Sequence, residues 1–188
     1  MSSRTVTKLV ALALALGVVA IIVTPAVKRI VRDLTLPLQY KAMIQTEARN
    51  EHLPASMIAG VIYAETKFDP RTSPTGALGL MQIEPETAEF LAHRSGATSF
   101  VLADLGHPAT NIAYGSYYLR YLLDHYHGNE TLALAAYNGG QTNVDGWVEQ
   151  AHAAGVSFGV AQIPFAETRA YVKRVESAQR SYHKQYGL

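Results

Sequence analysis

The sequence predicts an all-α domain that is preceded by an N-terminal transmembrane helix. A chain of 188 residues with 48% hydrophobic content is long enough to form one domain with its own core. Apolar residues recur at helical spacing in segment after segment, and several of these segments begin at proline or end at glycine. No convincing run alternates apolar and polar residues, as a half-buried strand would. These observations together favour a helical architecture.

The first element is an uncharged stretch, Leu9–Val27, of leucine, alanine, valine and isoleucine. As a helix it would be about 28 Å long, close to the roughly 30 Å of bilayer hydrocarbon. Basic residues follow it at once, which favours an uncleaved single-pass anchor. The alternative is a cleaved signal peptide with Thr24–Ala26 as its small-residue site. We therefore predict an anchor and short tether in residues 1–33 and a catalytic domain in residues 34–188.

The helices of the domain follow from apolar spacing and from their end signals. Tyr40, Met43, Ile44 and Ala48 are predicted to form the apolar side of the first helix. Later segments have proline in the first turn or glycine just beyond the last turn. The predicted helices are Gln39–Asn50, Leu53–Thr66, Pro85–Ser95, Pro108–His127, Glu130–Tyr137, Asn143–His152 and Ala166–Tyr186.

Within Pro108–His127, a second stripe is formed by Tyr114, Tyr118 and Tyr121. A stripe of this kind is more often packing than a ligand surface, and we interpret it as packing.

Composition and charge exclude several classes of function. The formal charge of +1 is made up of five basic and no acidic residues up to Arg32, the single acidic Asp33, and 11 basic against 14 acidic residues from Leu34 onward. The domain thus carries 11 − 14 = −3 and lacks the clustered basic face of a nucleic-acid-binding protein. With no cysteine, disulfides and thiolate metal sites are excluded, and the scattered histidines do not suggest a metal site. No metal and no cofactor are expected.

Glu65 is the candidate catalytic residue. Ile58, Val61 and Ile62 precede it by seven, four and three positions, which places the carboxylate on an apolar helical face. Burial and the negative end of the helix dipole both raise the pKa of such a carboxyl group. A carboxylic acid that keeps its proton near neutral pH is what general-acid catalysis requires. The alternative is a structural role, as a helix cap or in an ion pair with arginine.

Four motifs in order resemble the SLT-type lytic murein transglycosylases, a lysozyme-like family that acts on peptidoglycan. The first contains Glu65 and continues through a proline- and glycine-rich loop, E-T-K-F-D-P followed by S-P-T-G-A-L-G-L-M-Q. The others are N-I-A-Y-G-S-Y-Y-L from Asn111, A-L-A-A-Y-N-G-G from Ala133 and P-F-A-E-T-R-A-Y-V from Pro164. The resemblance covers about Gln39 to Arg180, nearly all of the predicted domain.

This resemblance implies a lysozyme-like fold and the cleavage of glycan strands between N-acetylmuramic acid and N-acetylglucosamine. Glu65 would protonate the glycosidic oxygen and then, as a base, help the C6 hydroxyl close a 1,6-anhydro ring. A single acid also fits the residues, because no second carboxylate has a comparable setting, as the usual glycosidase pair would require. The substrate-binding residues that the resemblance implies are Ser73, Gln82, Glu84, Ala136, Tyr137, Asn138 and Glu167.

Some of these positions have alternative interpretations or depart from the family pattern. Ser73 could be a turn hydroxyl. The loop from Glu65 to Gly76 is one residue shorter than is common in the family, so Thr72 or Thr75 could take the role of Ser73. Glu84 stands where the family typically has an apolar residue. Glu167 could instead belong to an ion pair or N-cap network with Arg169.

Two other functions remain open for a chain with these motifs. One is a muramidase of the same fold, which uses water instead of the C6 hydroxyl. The other is a non-catalytic cell-wall-binding protein. In each case the expected partners are peptidoglycan strands, and the membrane through the N-terminal helix. The domain is then expected on the extracytoplasmic side, or secreted if the N-terminal segment is cleaved.

Overall fold

The computed structural model describes residues 36–188 of the chain, and residues Pro37–Leu188 form one compact unit. The described part is mostly helical. Its helices are α1 Lys41–Asn50, α2 Ala55–Thr66, α3 Pro85–Ser95, α4 Pro108–His125, α5 Glu130–Gly139, α6 Gln141–Ala153 and α7 Ala166–Tyr186. Short 3-10 turns at Leu102–Gly106 and Val160–Gln162 precede α4 and α7.

The predicted membrane anchor, Leu9–Val27, lies outside the described residues. Between residues 36 and 188, none of the helices has the length and apolar character needed to cross a bilayer.

Helix α2 is the centre of the core and is apolar around most of its circumference. Eight of its 12 residues are buried, and its most extensive packing is against α7. The two backbones approach closely at Gly60, where a Cβ atom would lie 3.1 Å from the carbonyl oxygen of Val175. Helix α7 contributes its buried apolar face to this contact, including Tyr171, which is 1% exposed. This packing holds the C-terminal end of α2, and therefore Glu65, in a fixed position.

Helices α4 and α5 close the core on the other side. The alanine-rich run Ala133–Ala136 is buried, so α5 packs tightly against both α4 and α7. Asn129 begins α5 by accepting a hydrogen bond from the backbone N–H of Leu132. Helix α5 ends at Gly139, two residues later than predicted, which brings Tyr137 and Asn138 into its last turn.

The all-α prediction omits one small element. Arg71–Thr72 and Leu78–Gly79 form an antiparallel ladder, with Arg71 opposite Gly79, inside the loop that was predicted to be irregular. Strands of two residues are too short to produce an alternating pattern in sequence. The ladder nevertheless gives the loop a defined shape next to the end of α2.

Most helix ends agree with the prediction, and one predicted core residue does not. Helices α3 and α7 have the predicted bounds, and Gly96 ends α3 in the left-handed region at φ 73°. Helix α6 is longer than predicted, and α4 ends two residues earlier. Met43 is 40% exposed, so the predicted apolar side of α1 was too wide, and only Ile44 and Ala48 are buried in that helix.

Candidate active site

Glu65 is the penultimate residue of α2 and lies where a buried helix reaches the surface. Its side chain is partly exposed, while the next residue, Thr66, is 1% exposed. The Thr66 hydroxyl lies 2.8 Å from the carbonyl oxygen of Leu80 and 3.2 Å from that of Ile62. The chain then turns through Lys67 in the left-handed region, at φ 52°. Thr66 therefore ties the end of α2 to the loop that follows it.

The surroundings of Glu65 raise the pKa of its carboxyl group from 4.5 to about 7. Burial is the main cause, because it penalises the carboxylate more than the neutral acid. Smaller influences oppose it: first the nearby Tyr171 hydroxyl, which favours the carboxylate, then the positive charges of Arg174 and Arg71. The nearby negative charge of Glu167 raises the pKa slightly further. At neutral pH a substantial fraction of Glu65 keeps its proton, as the sequence predicted.

Two tyrosine side chains flank this acid. Tyr137, from the last turn of α5, donates a hydrogen bond of 2.9 Å to the carbonyl oxygen of Met81. The Tyr171 hydroxyl of α7 is buried and approaches Glu65 without the geometry of a regular hydrogen bond. Burial and the charge of Glu65 raise the pKa of both phenols well above the usual value, so both stay protonated. Glu65 is thus bordered by neutral hydroxyl groups on aromatic rings.

Backbone and side-chain hydrogen bonds shape the loop beside the acid. Arg71 donates to the carbonyl oxygen of Glu65 at 2.6 Å. The amide nitrogen of Gln82 donates to the carbonyls of Arg71 and Gly79, both at 2.8 Å. Gln82 itself has a left-handed backbone, φ 50°. The amide nitrogen of Gln82, a residue predicted to bind sugar, therefore holds the loop in place. The amide oxygen is the atom that can accept a hydrogen bond from a ligand.

Ser73 lies at the turn between the two short strands. Its hydroxyl accepts the backbone N–H of Ala77 at 2.9 Å and lies 2.8 Å from the hydroxyl of Thr75. Thr75 in turn donates to the carboxylate of Glu84 at 3.1 Å. This geometry is that of a turn hydroxyl. Contact of Ser73 and Glu84 with substrate stays a prediction.

The remaining predicted residues come from the second half of the domain. Ala136 is fully buried, so it can only shape the wall of a site, whereas Asn138 is partly exposed. Glu167 is exposed in the first turn of α7, a favourable place for a negative charge. The Arg169 guanidinium donates hydrogen bonds to the backbone carbonyls of Ile163 and Pro164. Arg169 is therefore not engaged in the alternative network with Glu167.

Two residues near the site were missed as site residues by the sequence analysis. Tyr171 is one of them, because nothing local in the sequence distinguishes a buried tyrosine that faces an acid from one that only packs. Asn111 is fully buried at the start of α4. It accepts from the backbone N–H of Met81 and donates to the carbonyls of Leu78 and Leu105, all within 2.8 to 3.1 Å. A polar residue in an apolar helical stripe was the signal for it.

Comparison with known proteins agrees with this architecture. The family described as "Transglycosylase SLT domain" matches residues 42–157. The soluble lytic murein transglycosylase of Escherichia coli (strain K12) is 35% identical over 145 residues, which cover 74% of this chain and 22% of that protein. The transglycosylase of Enterobacteria phage PRD1 is 39% identical over 111 residues, 58% of this chain and 38% of the relative.

Solved structures give the same result. The crystal structure of the 70 kDa soluble lytic transglycosylase of Escherichia coli superposes with a TM-score of 0.75 at 31% identity, covering 81% of this chain and 25% of the other. An inactive mutant of the lytic transglycosylase Slt from Pseudomonas aeruginosa gives a TM-score of 0.74 at 31% identity, with 82% and 25% covered. The chain therefore spans about a quarter of the length of these relatives.

The family match includes Glu65, the loop beside it and the Tyr137–Asn138 turn, and the likeness to solved structures covers about four fifths of the chain. The described domain therefore has the mostly helical, lysozyme-like fold of these transglycosylases, and the chain belongs to the SLT transglycosylase domain family.

Proposed function

We propose that this domain is a lytic transglycosylase that cleaves the glycan strands of peptidoglycan. Membership of the SLT family supports this reaction class. The observation that carries the proposal is the state of Glu65, whose pKa is raised to about 7 at the surface end of a buried helix. A carboxyl group with that pKa can both give up and recover a proton at neutral pH.

The reaction needs one residue to act first as an acid and then as a base. Protonated Glu65 donates its proton to the glycosidic oxygen between N-acetylmuramic acid and N-acetylglucosamine, and the C1–O bond breaks. The substrate's own acetamido group stabilises the positive charge that develops at C1. The Glu65 carboxylate then takes the proton of the C6 hydroxyl, whose oxygen bonds to C1 and closes the 1,6-anhydro ring. No water is consumed, and Glu65 ends in the protonated form in which it began.

Within residues 36–188, the weak influence of other carboxylates on Glu65 supports a single-acid mechanism. Among the groups that influence Glu65, the one carboxylate is that of Glu167, and its effect is the smallest of those named above. A paired mechanism would place a second carboxyl group about 5 to 10 Å away to act as nucleophile or base. The groups that contribute hydroxyls beside Glu65 are the neutral phenols of Tyr137 and Tyr171, which cannot act as such a carboxylate.

The binding residues proposed around this acid come from three segments. The loop after α2 supplies a hydroxyl, an amide oxygen and a carboxylate, the end of α5 supplies the aromatic ring and an amide, and the start of α7 supplies a further carboxylate. Hydroxyl and acetamido groups of the sugars would pair with these donors and acceptors. The residues are Ser73, Gln82, Glu84, Ala136, Tyr137, Asn138 and Glu167.

We further propose that the domain acts on the extracytoplasmic side of the membrane, held there by the N-terminal segment. The uncharged stretch Leu9–Val27, of bilayer-spanning length, and the location of peptidoglycan both support this arrangement. If the segment is cleaved, the same domain is released as a secreted enzyme. N-terminal sequencing of the mature protein distinguishes the two, since an N-terminus near Val27 contradicts the anchor.

Digestion of purified peptidoglycan sacculi tests the proposed reaction. A transglycosylase releases fragments with 1,6-anhydro ends, whose mass is one water lower than that of the same fragments with reducing ends. Fragments with reducing ends would identify a muramidase. Glu65→Gln should abolish release of fragments while circular dichroism shows an unchanged fold. Glu149→Gln, at an exposed glutamate of α6, is the matched control and should keep full activity. Full activity of the Glu65→Gln protein would refute the assignment of the acid, and no turnover by the unaltered protein would favour a wall-binding role.

A further inference from the structure

A depression of about 530 Å³ lies at the end of α2 that is opposite to Glu65. The first turns of α2 and α5 and the C-terminal half of α7 border it. Ser56, which lines it, precedes Glu65 by nine positions, a distance of about 14 Å along a helix axis. The depression is therefore separate from the candidate active site, and its volume is typical of a small-molecule site, about 300 to 1,000 Å³.

Both helices begin at this depression with unpaired backbone N–H groups. Pro54 precedes α2 without a side-chain cap, and within residues 36–188 the N–H groups of Ala55 and Ser56 have no acceptor. Helix α5 has a cap, Asn129, but its side chain accepts from only one N–H group of the first turn. Unpaired N–H groups at helix starts, together with the helix dipoles, favour a negatively charged group.

The side chain of Ser56 gives independent evidence for a ligand. Ser56 is 3% exposed, and its hydroxyl makes no hydrogen bond to any other group of residues 36–188. The small surface that Ser56 retains lines the depression. Buried hydroxyl groups normally have a partner, because burial of an unpaired polar group is costly. Ser56 is therefore available to form a hydrogen bond with a molecule in the depression.

Charged side chains of both signs surround the depression. Arg180 of α7 is exposed, and within the described part of the chain it has neither an ion pair nor a hydrogen bond. Glu130 and Glu176 border the same depression, and the Glu176 carboxylate accepts a hydrogen bond of 3.3 Å from the hydroxyl of Thr131. The guanidinium group and the two helix starts match a carboxylate, whereas the two glutamates match an ammonium group. A simple anion would be repelled by both glutamates.

We propose that this depression binds a free amino acid or a short peptide through its carboxylate and its ammonium group. The carboxylate accepts hydrogen bonds from the Ser56 hydroxyl, from the first turn of α2 and from Arg180. The ammonium group donates to the carboxylates of Glu130 and Glu176. This binding is independent of the reaction at Glu65, because no group of the depression takes part in that chemistry.

Nuclear magnetic resonance titration of the ¹⁵N-labelled full chain with four small probes tests this inference. Glycine and glycylglycine carry both charges, N-acetylglycine carries only the carboxylate, and glycinamide carries only the ammonium group. The backbone amide signals of Ser56 and Thr131 should shift and saturate with the two zwitterions. The affinity for each singly charged probe should be about tenfold lower or less, the effect of one charge-assisted hydrogen bond. Tighter binding of glycine identifies a free amino acid as the ligand, and tighter binding of glycylglycine identifies a short peptide.

Three variants relate the binding to the proposed groups. Arg180→Gln should weaken the binding of glycylglycine about tenfold, and Ser56→Ala should weaken it about threefold. Lys184→Gln removes a positive charge from an exposed position of the same helix outside the depression, and this matched control should bind as the unaltered protein does. Equal affinity for glycylglycine and N-acetylglycine would show a simple anion site and overturn the proposal. Unsaturable shifts with every probe, or unchanged affinity in Arg180→Gln, would overturn it as well.

Discussion

Replacing Glu65 by glutamine should stabilise the folded domain by an amount that grows with pH. Burial raises the pKa of Glu65 from its ordinary value of 4.5 to about 7. Between these two values the folded state holds a proton that the unfolded chain has already released, so the free energy of unfolding falls as the pH rises. Above about pH 7 the folded protein carries a charged and poorly hydrated carboxylate. Glutamine has nearly the same shape and never acquires that charge.

The size of the effect follows from the two pKa values. A rise from 4.5 to about 7 corresponds to about 3 kcal/mol, because each pKa unit is worth about 1.4 kcal/mol. Solvent reaches part of the side chain, which lowers the expected gain to about 2 to 3 kcal/mol. The two proteins should therefore be similarly stable near pH 4, where both side chains are neutral. The difference should develop fully only above about pH 7.

Urea denaturation monitored by circular dichroism measures this difference at a series of pH values. The free energy of unfolding should fall with urea concentration at the same slope in both proteins. A shift of the midpoint then reports a change in stability alone. Glu149→Gln shows how the loss of an exposed carboxylate on α6 changes the same curve. A stability difference between Glu65→Gln and the unaltered protein that is constant from acid to neutral pH would refute the raised pKa. The acid–base role of Glu65 would then lose its physical basis.

Three further predictions follow from contacts around the site. Tyr171→Phe removes a hydroxyl that lowers the pKa of Glu65, so the alkaline limb of the pH–activity profile should move to higher pH. A move to lower pH would contradict this prediction. Thr66→Val leaves a buried loop carbonyl without its donor, which should cost about 1 to 3 kcal/mol in urea denaturation, and an unchanged midpoint would contradict the anchoring role. Gly115→Ala would place a Cβ atom 2.9 Å or less from atoms of the buried Met81 side chain and should cost about 1 to 3 kcal/mol. Gly146→Ala, in the helix that follows α5, meets no atom within 4 Å and is the control, expected to be neutral or slightly stabilising.

Features that depend on neighbours along the chain could be predicted from the sequence. Helix α3 begins at Pro85 and ends before Gly96 as predicted, because proline fits a helix start and glycine adopts the left-handed conformation beyond its end. The position of Glu65 on an apolar face follows from residues three, four and seven positions earlier. Both are local properties, so the sequence contains them directly.

The surroundings of that acid depend on residues that are distant in sequence. The bond from Tyr137 to Met81 joins positions 56 apart, and the bond from Met81 to Asn111 joins positions 30 apart. No local pattern predicts which buried tyrosine faces Glu65, or that Gln82 uses its amide nitrogen to hold the loop. The sequence by itself indicated the family, most of the helix bounds and the candidate acid. Only the tertiary structure decided which groups surround Glu65 and raise its pKa, since the burial of the end of α2 results mainly from its packing against α7.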